Sequence, residues 1–268
     1  MSFLNARRVV TVASTVAAVL LAGCGSTGRV DPRDMTAEQV YAAAKEDMAS
    51  GNLEPAAQGF TRVEALAAGT LLGQQAQLEL AYVRWRSGEK EQALSTLDRF
   101  LKLNPSSPAY DYALYLRGLV NFNDDLGLLG ALSRQDLSER DQAASRESWQ
   151  SFNQLVQQFP QSRYAADAQL RMDYIFNSLA SHELHVARHY FRRGAYVAAA
   201  NRAQRAVADF QQSPAVEEAL YIMAQSYRRM GLDDLAADAE RVLRKNYPDS
   251  RFFAEGLRGP DRAWWQFW

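Results

Sequence analysis

A fixed spacing of glycine, alanine and proline recurs along this chain of 268 residues. Alanine follows Gly88 after five residues and proline follows it after seventeen, and the same two intervals follow Gly231. The residues in between favour helix and place their apolar side chains at helical rather than alternating spacing. Because small residues let two helices approach and a proline ends a helix, each unit predicts a pair of antiparallel helices.

Three further units fit this spacing in whole or in part. The frame recurs at Gly51 and at Gly194, although neither unit has the closing proline at the expected place. Another unit is split, with its first helix predicted over 110–123 and its second over 141–158. The residues between them, 124–140, contain two glycines and no helical periodicity, so we predict a loop insertion there.

The repeated unit resembles the tetratricopeptide repeat, a pair of antiparallel helices with small residues at fixed positions. One additional helical stretch is predicted over 164–178, leading into the fourth pair. The expected fold is all-α, a tetratricopeptide-repeat solenoid of five helix pairs over residues 36–249. Stacked pairs of this kind form an extended concave surface that suits a peptide or another domain.

The first helix of each pair supplies the side chains that we expect on the concave surface. They are mainly aromatic in the first three pairs, which suits an apolar peptide, and include arginines in the last two, which suit carboxylates of a folded partner. Core packing and a solvated helix face are the alternatives. Leu78 and Leu184 are assigned to this surface as well. The candidate peptide-binding residues are Tyr41, Tyr82, Trp85, Arg86, Tyr112, Tyr115 and Phe122, and the candidate partner-binding residues on these helices are Arg188, Arg192 and Arg228.

The single cysteine of the chain, Cys24, follows Leu-Ala-Gly at the end of a short apolar run. The run comes after Arg7 and Arg8 and is shorter than the about 20 apolar residues that span a bilayer. This pattern resembles a bacterial lipoprotein signal, so we predict a signal peptide over 1–23 and lipidation of Cys24. Two or more acyl chains hold a protein stably on a membrane. An unpaired thiol near an ordinary secretory cleavage site is the alternative.

The residue after the cysteine is Gly25, not aspartate, and the lipoprotein resemblance then implies sorting to the outer membrane. Residues 24–35 are predicted to be a lipid-anchored flexible arm. A chain with one cysteine has no internal disulfide, so its stability depends on packing.

Charge and motif content argue against several functional classes. The formal net charge is −1, and it becomes −3 once Arg7 and Arg8 are removed with the signal, which gives no general attraction for nucleic acid. The sequence has no catalytic Ser/His/Asp arrangement and no phosphate-binding glycine loop, so we predict no enzymatic activity and no cofactor. The three histidines, His182, His185 and His189, share a helix face, but no cysteine or acidic residue stands at a matching turn. We therefore predict no metal site.

The segment 250–268 is predicted to be an aromatic tail. Its last five residues contain three of the five tryptophans of the chain. Three roles stay open: partition into the membrane interface, docking into a protein groove such as the chain's own concave face, and coverage of the exposed end of the repeats.

Four stretches of the sequence are the most specific: LDRFLKLNP at 97–105, DYALYLRGL at 111–119, FPQSRYAADA at 159–168 and YFRRGAYV at 190–197. They resemble the BamD (ComL) family of outer-membrane protein assembly lipoproteins, and the resemblance extends over nearly all of the chain after Cys24. The family arrangement is a lipidated cysteine followed by five tetratricopeptide repeats. The resemblance implies a scaffold of the β-barrel assembly machine, anchored in the outer membrane with its body in the periplasm.

The resemblance also implies the partners. In this family the N-terminal repeats receive the C-terminal targeting signals of unfolded outer-membrane proteins, which are rich in aromatic residues. The C-terminal repeats hold the membrane-proximal POTRA domain of BamA, a contact to which the arginine at the position of Arg202 contributes. The resemblance therefore adds Arg202 as a fourth candidate partner-binding residue. Other lipoproteins of the machine are further partners. A tetratricopeptide lipoprotein that organises peptidoglycan or other envelope complexes is the alternative.

Overall fold

The structure is a computed structural model that describes residues 34–122 and 142–257. Among these residues, every regular element is helical and no strand is present. The predicted all-α fold is confirmed. The helices are α1 (Ala37–Ala49), α2 (Leu53–Leu66), α3 (Leu71–Arg86), α4 (Lys90–Leu103), α5 (Tyr110–Asn121), α6 (Gln142–Gln158), α7 (Ala165–Arg192), α8 (Tyr196–Asp209), α9 (Ala215–Arg229), α10 (Asp233–Asn246) and α11 (Phe252–Glu255).

The first ten helices form the five predicted pairs, α1 with α2 through α9 with α10. The short α11 follows the last pair. Five parts of the sequence interpretation lie outside the described residues: the signal peptide, Cys24, the predicted arm up to residue 33, the loop over 124–140 and the tail beyond residue 257. The bounds of those segments stay predictions.

Four of the five pairs turn through a glycine in the left-handed backbone region. The φ angles of Gly51, Gly88, Gly194 and Gly231 lie between 72° and 82°. In each turn the residue after the glycine donates its backbone N–H to the carbonyl five residues earlier, at 2.8–3.0 Å. Glycine adopts this conformation without the steric cost of a Cβ atom, so the repeating glycines of the sequence mark helix ends.

The small residues inside the helices allow close packing, as predicted. A Cβ atom added to Gly118 on α5 would lie 2.4 Å from the ring of Phe152 on α6. A Cβ added to Gly59 on α2 would lie 2.7 Å from the Cβ of Ala44 on α1. Any larger side chain at these positions would push the two helices of the pair apart.

The described residues divide into two compact units, with the boundary between Ala76 and Gln77 inside α3. The core of the first unit includes Phe60, which is fully buried. The second unit contains one apolar cluster around Phe100 and a larger one around Phe152 that continues to α9. The candidate residues from Tyr82 onward all belong to this second unit.

The helical stretch predicted over 164–178 is not a separate element. It forms the first half of α7, which runs unbroken for 28 residues and also supplies the first helix of the fourth pair. The sequence of α7 has no glycine or proline, and its buried side chains, among them Met172, Leu179 and Ala187, follow the helical period along the whole length.

Candidate functional site

Aromatic side chains of α3, α5 and α7 form a surface that we call the aromatic strip. It starts with Tyr82 and Trp85 on α3, whose ring centroids are 6.1 Å apart. The next rings come from α5 and from the start of α7, where Tyr164 stacks on Tyr115 at 4.7 Å and lies 5.5 Å from Tyr112. The complete strip comprises Tyr82, Trp85, Tyr112, Tyr115, Phe122, Tyr164 and Tyr174.

The far end of the strip packs on the buried ring of Phe152. Tyr115 and Phe122 lie 6.0 Å and 6.3 Å from it, and Tyr174 lies 5.8 Å from Phe122. Tyr174 is 46% exposed and the other rings of the strip are half-buried. The half-buried rings therefore rest on the repeat core while part of each ring stays accessible to a ligand.

Guanidinium groups lie over three rings of the strip. Arg86 donates a hydrogen bond of 3.1 Å to the Tyr82 hydroxyl and lies over the same ring. Arg163 donates to the Tyr164 hydroxyl, and its guanidinium carbon is 4.7 Å from the ring centroid. Arg171 lies 4.9 Å above Phe122. These cation–π contacts place positive charge beside the apolar faces.

Asp167 anchors the centre of the strip. Its carboxylate accepts hydrogen bonds from the Tyr115 hydroxyl at 2.7 Å and from Arg171 Nε at 2.6 Å. Burial by itself would raise the pKa of Asp167, but these two hydrogen bonds and the charge of Arg171 outweigh it and lower the pKa. The same contact helps to fix the ring of Tyr115 in its stack.

The phenol groups of Tyr112 and Tyr115 keep their protons at neutral pH. Burial, followed by the negative charge of Glu79, raises the pKa of Tyr112 to about 12. Burial and the hydrogen bond to Asp167 also raise the pKa of Tyr115. Neutral phenols can donate hydrogen bonds to the carbonyl groups of an extended ligand.

Tyr41, the remaining candidate peptide-binding residue, belongs to the first unit. Its ring lies 5.6 Å edge-on from the buried Phe60, so it packs on the core of the first helix pair while staying half-buried. The assignment of Leu78 and Leu184 to the concave surface is wrong. Both are buried, at 4% and 7% exposure, because they belong to the apolar clusters between helices.

The sequence interpretation missed Tyr164, Asp167 and Arg171. A short motif could have pointed to Tyr164: Pro-x-Ser-Arg followed by an aromatic residue ends at Tyr164 and again at Phe252. In both copies the serine oxygen accepts the backbone N–H of the aromatic residue, and the arginine covers its ring. The motif thus places one ring at the start of the next helix.

Three of the four candidate partner-binding arginines are engaged within the chain. Each forms a salt bridge to a carboxylate on a neighbouring helix, joining α7 to α9, α7 to α8 and α9 to α10. The fourth, Arg192 at the end of α7, is exposed, and no ion pair involves it among the described residues. The three salt bridges are Arg188–Glu218 at 2.7 Å, Arg202–Glu183 at 3.0 Å and Arg228–Glu240 at 2.5 Å.

The three histidines lie along α7, beside Arg188 and Arg192, and line a shallow groove. Within residues 34–122 and 142–257, no group of three or more histidine, cysteine, aspartate or glutamate side chains is arranged to hold a metal ion.

Comparison with known proteins decides the family. The family model described as "YfiO: Outer membrane lipoprotein" matches residues 33–243. The chain belongs to this family. It is 43% identical to the outer membrane protein assembly factor BamD of Neisseria meningitidis serogroup B, over 92% of this chain and 95% of the relative. It is 31% identical to BamD of Vibrio cholerae, over 88% and 98% of the two chains. The predicted resemblance to the BamD family is confirmed.

Two solved structures also match most of this chain, at low sequence identity. MamA has 15% identity and a TM-score of 0.36, covering 84% of this chain and 98% of that one. A tetratricopeptide repeat protein from Parabacteroides merdae has 14% identity and a TM-score of 0.36, covering 77% and 78%. In the described part of the chain, no helix combines the length and the apolar character needed to cross a membrane.

Proposed function

We propose that the protein is a non-enzymatic scaffold of the β-barrel assembly machine and binds the C-terminal targeting signals of unfolded outer-membrane proteins on the aromatic strip. Membership in a family of outer membrane protein assembly factors supports the general role. The observation that carries the finer proposal is the strip itself. The rings of Tyr82 and Trp85 contact each other, and the rings at α5 and α7 contact one another or the shared ring of Phe152.

The chemistry of the strip suits an extended segment with alternate aromatic side chains. Fixed rings offer a large apolar contact area with little further loss of conformational entropy. The guanidinium groups of Arg86 and Arg163 stand at the ring faces, where they can donate to carbonyl or carboxylate oxygens. Such a surface accepts many related sequences, because ring contacts tolerate changes of side chain better than buried hydrogen bonds do.

We assign the POTRA domain of BamA to the C-terminal helix pairs. Of the four arginines, Arg192 is the best placed to contact the POTRA domain, since it is exposed and would not have to give up a salt bridge within this chain. Arg188, Arg202 and Arg228 would each have to leave or share a carboxylate of this chain. Lipidation at Cys24 would hold the scaffold on the periplasmic face of the outer membrane, beside the other lipoproteins of the machine.

Peptide affinity tests the first assignment. A fluorescently labelled peptide with an aromatic C-terminus, taken from an outer-membrane barrel, is titrated with the protein and followed by anisotropy. We expect Trp85→Ala to weaken binding about tenfold. Trp149→Ala is the matched control, because Trp149 lies on α6, outside the strip. Equal losses in both variants would contradict the assignment.

Capture of the POTRA region tests the second assignment. Arg192→Glu should reduce retention of the soluble POTRA domains of BamA on the immobilised protein. Arg205→Glu on the neighbouring helix α8 is the control, since Arg205 is also exposed. Unchanged retention with Arg192→Glu would refute a role for this residue, while peptide binding measured in parallel keeps the two assignments separate.

A further inference from the structure

The second unit contains a recess that the proposed function does not use. Four apolar side chains from α6, α7 and the end of α8 line it, and its volume is about 310 Å³. One wall is an edge-on aromatic pair, Phe176 and Phe210, with ring centroids 5.2 Å apart. We call it the aromatic recess; its lining includes Trp149, Phe176, Leu179 and Phe210, with Arg146 and Asp209 at the rim.

The aromatic recess and the aromatic strip lie on opposite sides of α7. Tyr174 belongs to the strip and Phe176 to the recess, and two residues along a helix are separated by about 200° around its axis. A ligand in the recess therefore leaves the strip free.

The size and chemistry of the recess favour aromatic side chains. Its volume is at the low end of the roughly 300–1,000 Å³ typical of ligand pockets, which suits one or two side chains. An edge-on aromatic wall can extend its packing to a third ring. The rim offers one cation, Arg146, and one anion, Asp209, and neither has an ion pair within the described part of the chain.

The chain carries a segment with matching chemistry. Residues 264–268 read Trp-Trp-Gln-Phe-Trp, and Asp261 and Arg262 precede them with one charge of each sign. The described chain stops at Leu257, whose side chain packs on the same apolar cluster that contains Leu179 and Phe210.

The segment after Leu257 is long enough to reach the aromatic recess. Gly256 lies beside the Tyr221 hydroxyl on α9. From Tyr221 back to Phe210 there are about one and a half helical turns and two reverse turns, at 210–213 and 213–216. The Cα atoms of Tyr221 and Phe210 are thus at most about 22 Å apart. When extended, the seven residues from Leu257 to Trp264 span up to about 23–25 Å, and the eleven residues to Trp268 span up to about 36–40 Å.

We propose that the aromatic side chains of residues 264–268 insert into the aromatic recess of the same molecule and join α6 to α8. This goes beyond the proposed scaffold function and does not depend on it. Of the roles open for the tail, it assigns docking into the chain's own body, at a site other than the peptide-binding surface.

Site-specific photocrosslinking tests this. A photoreactive phenylalanine analogue replaces Trp265 in the full-length lipidated protein, and the adducts are mapped by mass spectrometry. We expect intramolecular adducts on peptides of α6 and on the α8–α9 connection. Adducts on α3 or α5, adducts with lipid or with a second copy of the chain, or the absence of adducts would overturn the proposal.

Two substitutions two residues apart provide the matched control. Phe176→Ala should lower the yield of these adducts at least about fivefold because it removes one wall of the recess, whereas Tyr174→Ala should leave the yield unchanged. Trp149→Ala serves as the recess variant if Phe176→Ala does not fold. Equal yields in the recess variant and in Tyr174→Ala would also overturn the proposal.

Discussion

The aromatic strip and the candidate arginines of the second unit differ in how far contacts within the chain already use their binding groups. The strip rings pack on the core with one face and keep part of the other accessible. Three of the four candidate arginines instead point their charged ends at carboxylates of adjacent helices. An aromatic ring can thus support the fold and bind a ligand at once, while a guanidinium group in a salt bridge must exchange one partner for another.

The largest effect is expected from truncating the strip. The double variant Tyr82→Ala/Trp85→Ala should weaken binding of an aromatic C-terminal peptide by about 3 kcal/mol, or roughly 100-fold, because both rings provide apolar contact. Titration calorimetry measures the loss, with Tyr227→Ala on α9 as a control. A loss smaller than about threefold would mean that the strip does not carry the binding.

Reversing a charge at Arg202 should mainly affect folding. Glu183 is buried, with a side-chain exposure of 9%, and a glutamate at position 202 would leave two carboxylates facing each other. We expect Arg202→Glu to lower the free energy of unfolding by about 2 kcal/mol.

The exchanged pair, Arg202→Glu with Glu183→Arg, should recover part of that loss in urea denaturation. Weaker POTRA capture by Arg202→Glu alone would thus reflect folding as well as contact. An unchanged urea midpoint for Arg202→Glu would show that the salt bridge contributes nothing in solution.

Removing the Tyr115 hydroxyl should have a smaller effect with a defined pH dependence. Tyr115→Phe loses the hydrogen bond to Asp167, which costs about 1 kcal/mol. The lowered pKa of Asp167 means that its contribution to stability is present above the ordinary value of 3.8 and is lost as the pH falls through the lower folded value.

Urea midpoints measured from about pH 6 to about pH 2 should therefore converge for the wild type and Tyr115→Phe at the acid end. A constant difference over this range would exclude Asp167 as the partner that matters.

The smallest effect is expected at Glu240, which accepts hydrogen bonds from Arg244 and Arg228. These bonds lower its pKa, but both arginine side chains are well exposed. Glu240→Gln should cost about 0.5 kcal/mol of stability in urea denaturation, as for other exposed ion pairs. The same variant releases Arg228 from its salt bridge. A gain in POTRA capture would then show that Arg228 belongs to the interface, and a loss would show that it does not.

The sequence predicts those parts of the molecule that depend on local geometry. The glycine frame marks four helix ends because a left-handed turn requires glycine at Gly51, Gly88, Gly194 and Gly231. The rings from α3 and α5 are predicted because the helical period assigns them to one face. Leu78 was assigned to the wrong environment because it lies next to that face, and packing against α4 and α5 buries it.

Contacts between distant residues could not be predicted. Tyr115 binds Asp167 across 52 residues, and Arg188 binds Glu218 across 30. No spacing rule connects such pairs, since their approach depends on how successive helix pairs stack. The continuity of α7 through residue 178 also escaped prediction, because the repeat pattern suggested a boundary where the helix has none.

Photocrosslinking in living cells tests the binding of client signals to the strip most directly. A photoreactive residue is placed at Tyr82, Trp85 or Tyr112 of the full-length protein, and at Arg192 for comparison, while an outer-membrane barrel protein is being synthesised. We predict adducts between the three strip positions and the C-terminal segment of the barrel protein, with few at Arg192. Adducts with that segment at Arg192, and none on the strip, would contradict the account.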